Sequence, residues 1–286
     1  AIPLFVFMGA MLERAGIAAR LFDAIKIWFG ALRGGLAITT IIMCGIFAAS
    51  SGVVGAVEIV VGLMAVPAMM GAGYKKDLAA GTVCAGGSLG TTIPPSVVII
   101  VYASITEMSV GDLFAGILIP AGVLVGLFIL YIIVRCLLQP EAGPGQNDLD
   151  DRVSLSAKLW LMLTALLPAS LLILAVLGSI FAGIAAPTEA AAVGAFGSVI
   201  LAIAYRQFSF IILKEAVTQT IKITSMVMLI VLGGILFASI FIVHGGDDLV
   251  SQVVEGSGFS PAGIVVIFLI VVFILGFVLD WISVLI

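Results

Sequence analysis

The sequence is poor in charge. Of its 286 residues only 10% are Asp, Glu, Lys or Arg, whereas 63% are hydrophobic and the mean hydropathy is +1.36. A water-soluble domain of this length keeps a large charged surface, so that class is excluded. Histidine is nearly absent, with His244 alone. That leaves no His-based metal cluster and no His-paired nucleophile, and the scattered acids form no dyad, so enzyme chemistry has little to work with. Three cysteines, Cys44, Cys84 and Cys136, have no CxxC spacing and sit in or at the ends of apolar stretches. They read as small packing residues, neither disulfides nor metal ligands.

What the chain does have is long charge-free runs, at 34–57, 78–106, 113–134, 159–188, 223–246 and 256–279. At about 1.5 Å per residue, each reaches across a hydrocarbon core of about 30 Å as a helix. A β-barrel strand would need only about 10 residues of alternating polarity. The expected fold class is therefore an all-α polytopic membrane protein. The chain begins and stops inside apolar runs, which is expected of a piece of a longer protein.

The basic residues order the crossings. Segment 1–12 runs inward, 34–74 leaves and returns, 78–106 runs outward and 113–134 returns. Then 159–182 runs outward, 187–205 inward and 223–243 outward. This threading collects all twelve Lys and Arg on one face, and leaves Glu107, Asp112, His244, Asp247 and Asp248 on the other. The positive-inside rule makes the basic face cytoplasmic. Segment 34–74 has both ends on that face, so it is either two full spans or a re-entrant hairpin. Its polar, glycine-containing apex SSGVVG favours the hairpin, because irregular backbone at membrane depth survives only where protein or a water cavity covers it.

A weak internal repeat is also visible. LERAGIAARLFDAI at 12–25 matches VHGGDDLVSQVV at 243–254 in spacing, Gly16 with Gly245 and Leu21 with Val250. RGGLAITTIIMCGIFAASSG then matches PAGIVVIFLIVVFILGFVLD. Five crossings separate the copies, so they face opposite ways, as in the inverted repeats of secondary transporters.

The stretch CAGGSLGTTIPPS, 84–96, interrupts an oily segment at its middle. Pro94 and Pro95, behind Gly86, Gly87 and Gly90, predict a broken helix, the first half ending near 86–90 and the second starting at Pro94 or Pro95. Freed carbonyls with the hydroxyls of Ser88, Thr91 and Thr92 suit Na⁺, and freed amides suit an anion. The same residues also suit close packing and a simple kink. Ser50 and Ser51 equally suit a turn or a cap. Among acids in apolar runs, Glu189 behind Pro187–Thr188 reads as a first-turn cap. Asp280 is the repeat counterpart of Gly52, and Glu58 reads as a surface or interdomain contact. His244 reads as interfacial.

RGGLAITTIIMCGIFAASSGVVGAVEI, AGYKKDLAAGTVCAGGSLGTTIPPSVVIIVYA, GIAAPTEAAAVGAFG and GFVLDW together resemble the large membrane subunit of TRAP (tripartite ATP-independent periplasmic) transporters, along essentially the whole chain. The resemblance implies an elevator-type, Na⁺-coupled importer of small organic acids in the bacterial or archaeal cytoplasmic (inner) membrane. A periplasmic substrate-binding protein and a small four-helix membrane subunit are the implied partners; no cofactor is implied beyond Na⁺ as coupling ion. One Na⁺ site would join Ser50, Ser51 and Gly52 to Gly86, Gly87 and Ser88. A second would involve Gly276 and Asp280, with substrate near Thr91, Thr92, Pro94, Pro95 and Ser96. The implied division is 1–33 as the end of a first helix with an amphipathic arm, and 34–106 as a re-entrant hairpin with its broken helix, the transport domain. Residues 107–138 close the first repeat, 139–158 form a cytoplasmic linker, 159–260 the second-repeat scaffold and arm, and 261–286 the start of a second hairpin. Many members carry a S-G-S-S type tip, whereas Val53 and Val54 follow Gly52 here, so backbone carbonyls are expected to supply more of the ligands. A stand-alone Na⁺/dicarboxylate symporter of the divalent-anion type shares this architecture without needing a binding protein.

Overall fold

A computed structural model describes residues 1–52, 54–145, 154–256, 258–279 and 281–285. Every regular element among them is an α-helix, in keeping with a chain whose polar backbone groups must bond within each segment to enter lipid. Among the described residues, five helical stretches are long and apolar enough to cross a membrane: Lys76–Thr106, Val110–Leu138, Ser156–Phe181, Pro187–Ala204 and Phe210–Val243. The protein is a polytopic all-α membrane protein.

The chain forms two compact units, 1–221 and 222–286. In the first, α1 (Ile2–Arg14) turns at Gly16 into α2 (Ile17–Phe29), an amphipathic helix. Next come α3 (Gly35–Ser51) and α4 (Val54–Gly71), two antiparallel arms that meet at Gly52. They are followed by α5 (Lys76–Thr92) and α6 (Val97–Thr106), then α7 (Val110–Leu138), α8 (Leu155–Phe181), α9 (Pro187–Ala204) and the first part of α10 (Phe210–Val243). Ser109 and Ser154 cap α7 and α8 through their hydroxyls, and Pro187 opens α9.

Helix α3 is the hub. It packs against α1, α2, α4, α5 and α7, and Leu36, Ala37, Ile41, Met43, Cys44 and Ala48 are buried on it. By contrast α7 presents Leu118, Ile119, Val123, Leu127 and Leu130 to its surroundings. Such a stripe would be an aggregation liability in water and is what a lipid-facing helix shows.

A short turn after α7 binds two helix starts at once. The Gly34 amide donates to the Gly143 carbonyl at 2.8 Å and the Lys75 amide to the Ala142 carbonyl at 3.1 Å, while the Leu36 amide donates to the Tyr74 hydroxyl at 3.1 Å. Beside them Arg135 on α7 pairs with Asp77 on α5 and donates to the Tyr131 hydroxyl. Arg14 at the end of α1 likewise pairs with Glu215 on α10.

In the second unit, α10 ends at Val243, the chain turns at Gly245 and α11 (Gly246–Gly256) follows as a second amphipathic helix. Then come α12 (Pro261–Leu275), capped by Ser260, and α13 (Trp281–Leu285). The two matched glycines share one local geometry: Gly16 has φ +66° and Gly245 φ +76°, each between the end of an apolar helix and an amphipathic one.

Candidate ion and substrate site

The break in segment 76–106 lies later than the glycines suggested. Helix α5 runs through Gly86, Gly87 and Gly90 to Thr92, and α6 begins at Val97 rather than at a proline. The reason is that Gly86 and Gly87 face neighbours instead of ending the helix. A Cβ on Gly86 would stand 2.5 Å from the Cys44 Sγ of α3, and one on Gly87 would overlap the Glu58 side chain of α4. Ile93 to Ser96 form the extended bridge, with a cis peptide between Pro94 and Pro95.

The tip between α3 and α4 rests on this bridge. Gly52 has φ +61°, a region that favours glycine, and a Cβ there would fall 2.6 Å from the Pro95 carbonyl oxygen and 3.4 Å from the Val97 amide. Pro94, Pro95, Ser96 and Val97 are buried beneath it, whereas Thr91 and Thr92 are half-buried and Ser88 is exposed. Of the residues singled out in the sequence, Gly52 is therefore brought to Pro95 and Val97, on the substrate side of the expected arrangement. Gly86 and Gly87 meet Cys44 and Glu58.

The hydroxyls share one habit. Ser50 donates to Phe47 O at 2.8 Å, Ser88 to Ala85 O at 2.7 Å, Thr91 to Ser88 O at 2.9 Å and Ser96 to Thr91 O at 2.7 Å. Thr92 reaches Ser88 O more weakly, at 3.4 Å. With each proton committed to a carbonyl, the oxygen lone pairs remain available to accept a bond or to ligate a hard cation. Ser96, spent on bridging back to α5, does not cap α6, so the first amides of α6 have no side-chain cap.

Beside the break opens a cleft of about 520 Å³. Ile42, Gly45, Ile46 and Ala49 of α3 with Ile93 and Pro94 line one side, α7 and α8 the other, and Ser170 is its one hydroxyl-bearing lining residue. In the second unit Gly276 follows α12 in right-handed helical conformation, its amide donating to Val272 O at 2.9 Å. Asp280 lies outside the described residues. Glu189 accepts from the Ala186 amide at 2.9 Å, the capping role expected of it. His244 is exposed, its Nδ1 2.8 Å from Ile240 O at the end of α10. Glu58, read from the sequence as a surface or interdomain contact, is half-buried on α4, its side chain filling the gap that Gly87 of α5 leaves.

Comparison with known proteins gives the family. Residues 1–286 match the family described as the tripartite ATP-independent periplasmic transporter, DctM component. The chain is 36% identical over 280 residues to the C4-dicarboxylate TRAP transporter large permease protein DctM of Pseudomonas aeruginosa, covering 96% of this chain and 63% of that one. It is 30% identical over 279 residues to the isethionate TRAP transporter permease protein DctMQ of Oleidesulfovibrio alaskensis, covering 96% and 43%. To the ectoine TRAP transporter large permease protein TeaC of Halomonas elongata it is 27% identical over 269 residues, covering 92% and 60%. The chain thus spans 43% to 63% of the length of these relatives. A match over residues 1–286, with 36% identity to one of these relatives over 96% of the chain, shows that the chain belongs to the DctM family of TRAP transporter large permeases, a family of membrane transport proteins and not of enzymes.

Proposed function

We propose that the protein to which this chain belongs performs Na⁺-coupled secondary uptake of a small organic acid across the bacterial or archaeal inner membrane. In this reading a periplasmic binding protein delivers the substrate, a small four-helix membrane subunit is the partner, and the Lys/Arg-rich loops are cytoplasmic. The observation that carries it is the closure of the Gly52 tip on the Pro95 carbonyl and Val97 amide. With segment 76–106 crossing the bilayer, a hairpin tip that meets the break near the middle of that segment would stop at mid-membrane depth, which supports the re-entrant reading. It puts freed carbonyls, spare hydroxyl lone pairs and uncapped amides together, the elements that transporters use for cation and anion at the midplane.

Na⁺ would be held around Ser50, Ser51 and Gly52 with Gly86, Gly87 and Ser88, and at a second site around Gly276 and Asp280. The substrate's anionic group would sit near Thr91 to Ser96. The cleft between α3 and α7–α8, lined by apolar residues apart from Ser170, supports sliding, since an apolar seam offers few groups for directional contacts. The relatives' names cover C4-dicarboxylate, isethionate and ectoine, which leaves the particular solute open.

The test is uptake of a radiolabelled organic-acid panel into proteoliposomes holding the full-length protein, its small subunit and its candidate binding protein. An imposed Na⁺ gradient is present or absent, and Ser51→Ala and Gly87→Val serve as controls. Uptake that needs both Na⁺ and the binding protein is expected. Uptake that needs Na⁺ alone would point to the stand-alone symporter, and a folded sample indifferent to Na⁺ would overturn the ion reading.

A further inference from the structure

Helix α7 has 29 residues, so at about 1.5 Å per residue it is about 43 Å long, matching a bilayer of about 40–45 Å with its headgroup layers. Its last turn therefore stands at headgroup level, and there it carries its one basic residue, Arg135. Leading to Arg135, Val123, Leu127, Leu130 and Val134 follow one another at three- and four-residue spacing, all exposed, as an apolar track on one helix face. From Val123 to Arg135 the track is about 18 Å long, close to one leaflet's share of a hydrocarbon core of about 30 Å.

At the head of the track lies a hollow of about 370 Å³ lined by Tyr131, Val134, Arg135, Leu138 and Gln139. A smaller one of about 110 Å³ starts at the same Tyr131 and Arg135 and is lined by Gly81, Ala85 and Phe128 between α5 and α7. Arg135 is held in place without being saturated. One Nη donates to the Tyr131 hydroxyl at 2.6 Å and the other pairs with Asp77 on α5. The side chain keeps 27% of its surface exposed, so Nη–H donors remain for a further anion. Tyr131, accepting from Arg135, keeps its own proton to donate.

The surrounding charge favours an anion as well. The bonds from the Gly34 and Lys75 amides to the turn at 142–143 bring Arg33, Lys75 and Lys76 to this edge, all exposed. With Arg135 they set four basic residues against two acids, Asp77 and Glu141. A phospholipid carries in one molecule what this edge asks for: a phosphate at headgroup depth and an acyl chain running inward from it.

We propose that the end of α7 is a binding site for an anionic phospholipid. Its phosphate rests on Arg135, Tyr131 and Gln139, its net charge is answered by Lys75 and Lys76, and one acyl chain lies along Val134, Leu130 and Leu127. The site requires only the membrane-spanning fold and stands whether or not uptake is coupled to Na⁺.

The experiment places the full-length protein with its small subunit in phosphatidylcholine nanodiscs, with or without phosphatidylglycerol. It reads the melting temperature and, after extraction into detergent, the lipid retained on the complex by native mass spectrometry. Phosphatidylglycerol should raise the melting temperature and be retained over phosphatidylcholine. Arg135→Gln should weaken that retention about fivefold, the worth of one basic residue at a membrane surface, and Lys214→Gln, the same charge change on α10, should leave it unchanged. Equal effects of the two overturn the proposal, as does an unsubstituted protein with no preference for phosphatidylglycerol.

Asp77→Asn separates a lipid site from a mere brace between α5 and α7. It breaks the same ion pair as Arg135→Gln but frees a guanidinium donor, so retention should rise. If both substitutions lower retention alike, Arg135 is only a brace and the proposal fails. Should Arg135→Gln misfold, Lys75→Gln with Lys76→Gln alters exposed side chains alone and should remove the preference for phosphatidylglycerol; a full preference overturns the proposal. Inorganic phosphate without lipid should stabilise far less, and equal stabilisation would mean an anion site with no use for the track. Lipid retained only once the small subunit is stripped away would make the track a subunit interface, which equally overturns the proposal.

Discussion

Replacing Gly52 by alanine tests whether the hairpin tip rests on the helix break. Two costs follow from the geometry. At φ +61° the backbone is left-handed, which costs an L-residue about 1–2 kcal/mol. The new Cβ would also stand 2.6 Å from the Pro95 carbonyl oxygen, a backbone atom with no side-chain freedom to yield. The tip must lift. Backbone strain alone reduces the closed arrangement by a factor of about 5–30, since about 1.4 kcal/mol is tenfold, and the clash adds to it. Gly55→Ala is the internal control three residues on: a Cβ there meets nothing within 4 Å and the residue is helical, so a gain of about 0.5–1 kcal/mol is expected. The assay pairs melting of the detergent-solubilised complex, in NaCl and in KCl, with hydrogen exchange at Val97–Ile99. Gly52→Ala should lower the melting temperature, speed exchange at those amides and shrink the Na⁺ increment over K⁺. If Gly52→Ala and Gly55→Ala behave alike in melting and exchange, the tip does not rest on Pro95 and the reasoning fails.

Gly16→Ala and Gly245→Ala should each cost about 1–2 kcal/mol from positive φ alone, because neither Cβ would meet an atom closer than 4.0 Å. Matched losses of melting temperature are expected, and an unchanged value in either would contradict the left-handed turn. Glu189→Ala should destabilise the start of α9 by about 0.5–2 kcal/mol, with Glu189→Gln losing less because its amide oxygen still accepts from Ala186. Equal melting of the two variants would show that the carboxylate's charge, and not its hydrogen bond, holds that turn.

The spans were legible in the sequence because charge is so rare in this chain that long apolar runs stand out, as at 78–106, 113–134 and 223–246. The turns at Gly16 and Gly245 were legible, since a left-handed turn between two helices strongly favours glycine. Pro94 and Pro95 announce the break but not where α5 ends, because a missing side chain in a membrane helix often admits a neighbour instead of ending the helix, here Cys44 at Gly86 and Glu58 at Gly87. Glu58 itself could not be placed, because which face of α4 meets α5 is a tertiary fact that neither hydropathy nor spacing encodes. Nor does the Ser and Thr content alone show where each proton goes. Only with Ser88, Thr91 and Ser96 donating into carbonyls does a polar stretch become a set of outward lone pairs.

The turn after α7 has a mechanical meaning of its own. Ala142 and Gly143 offer adjacent carbonyls to Lys75 and Gly34, the residues from which the broken helix and the hairpin set out. One dipeptide is therefore a yoke on two arms, and the bases of those arms cannot part while both bonds hold. The yoke is also closely fitted: a Cβ on Gly143 would stand 2.8 Å from the Cys136 Sγ, 3.0 Å from a Tyr74 ring carbon and 3.2 Å from the Gly34 Cα. Any side chain there would press on both arms at once, so damage at this one small residue would be felt by hairpin and broken helix together.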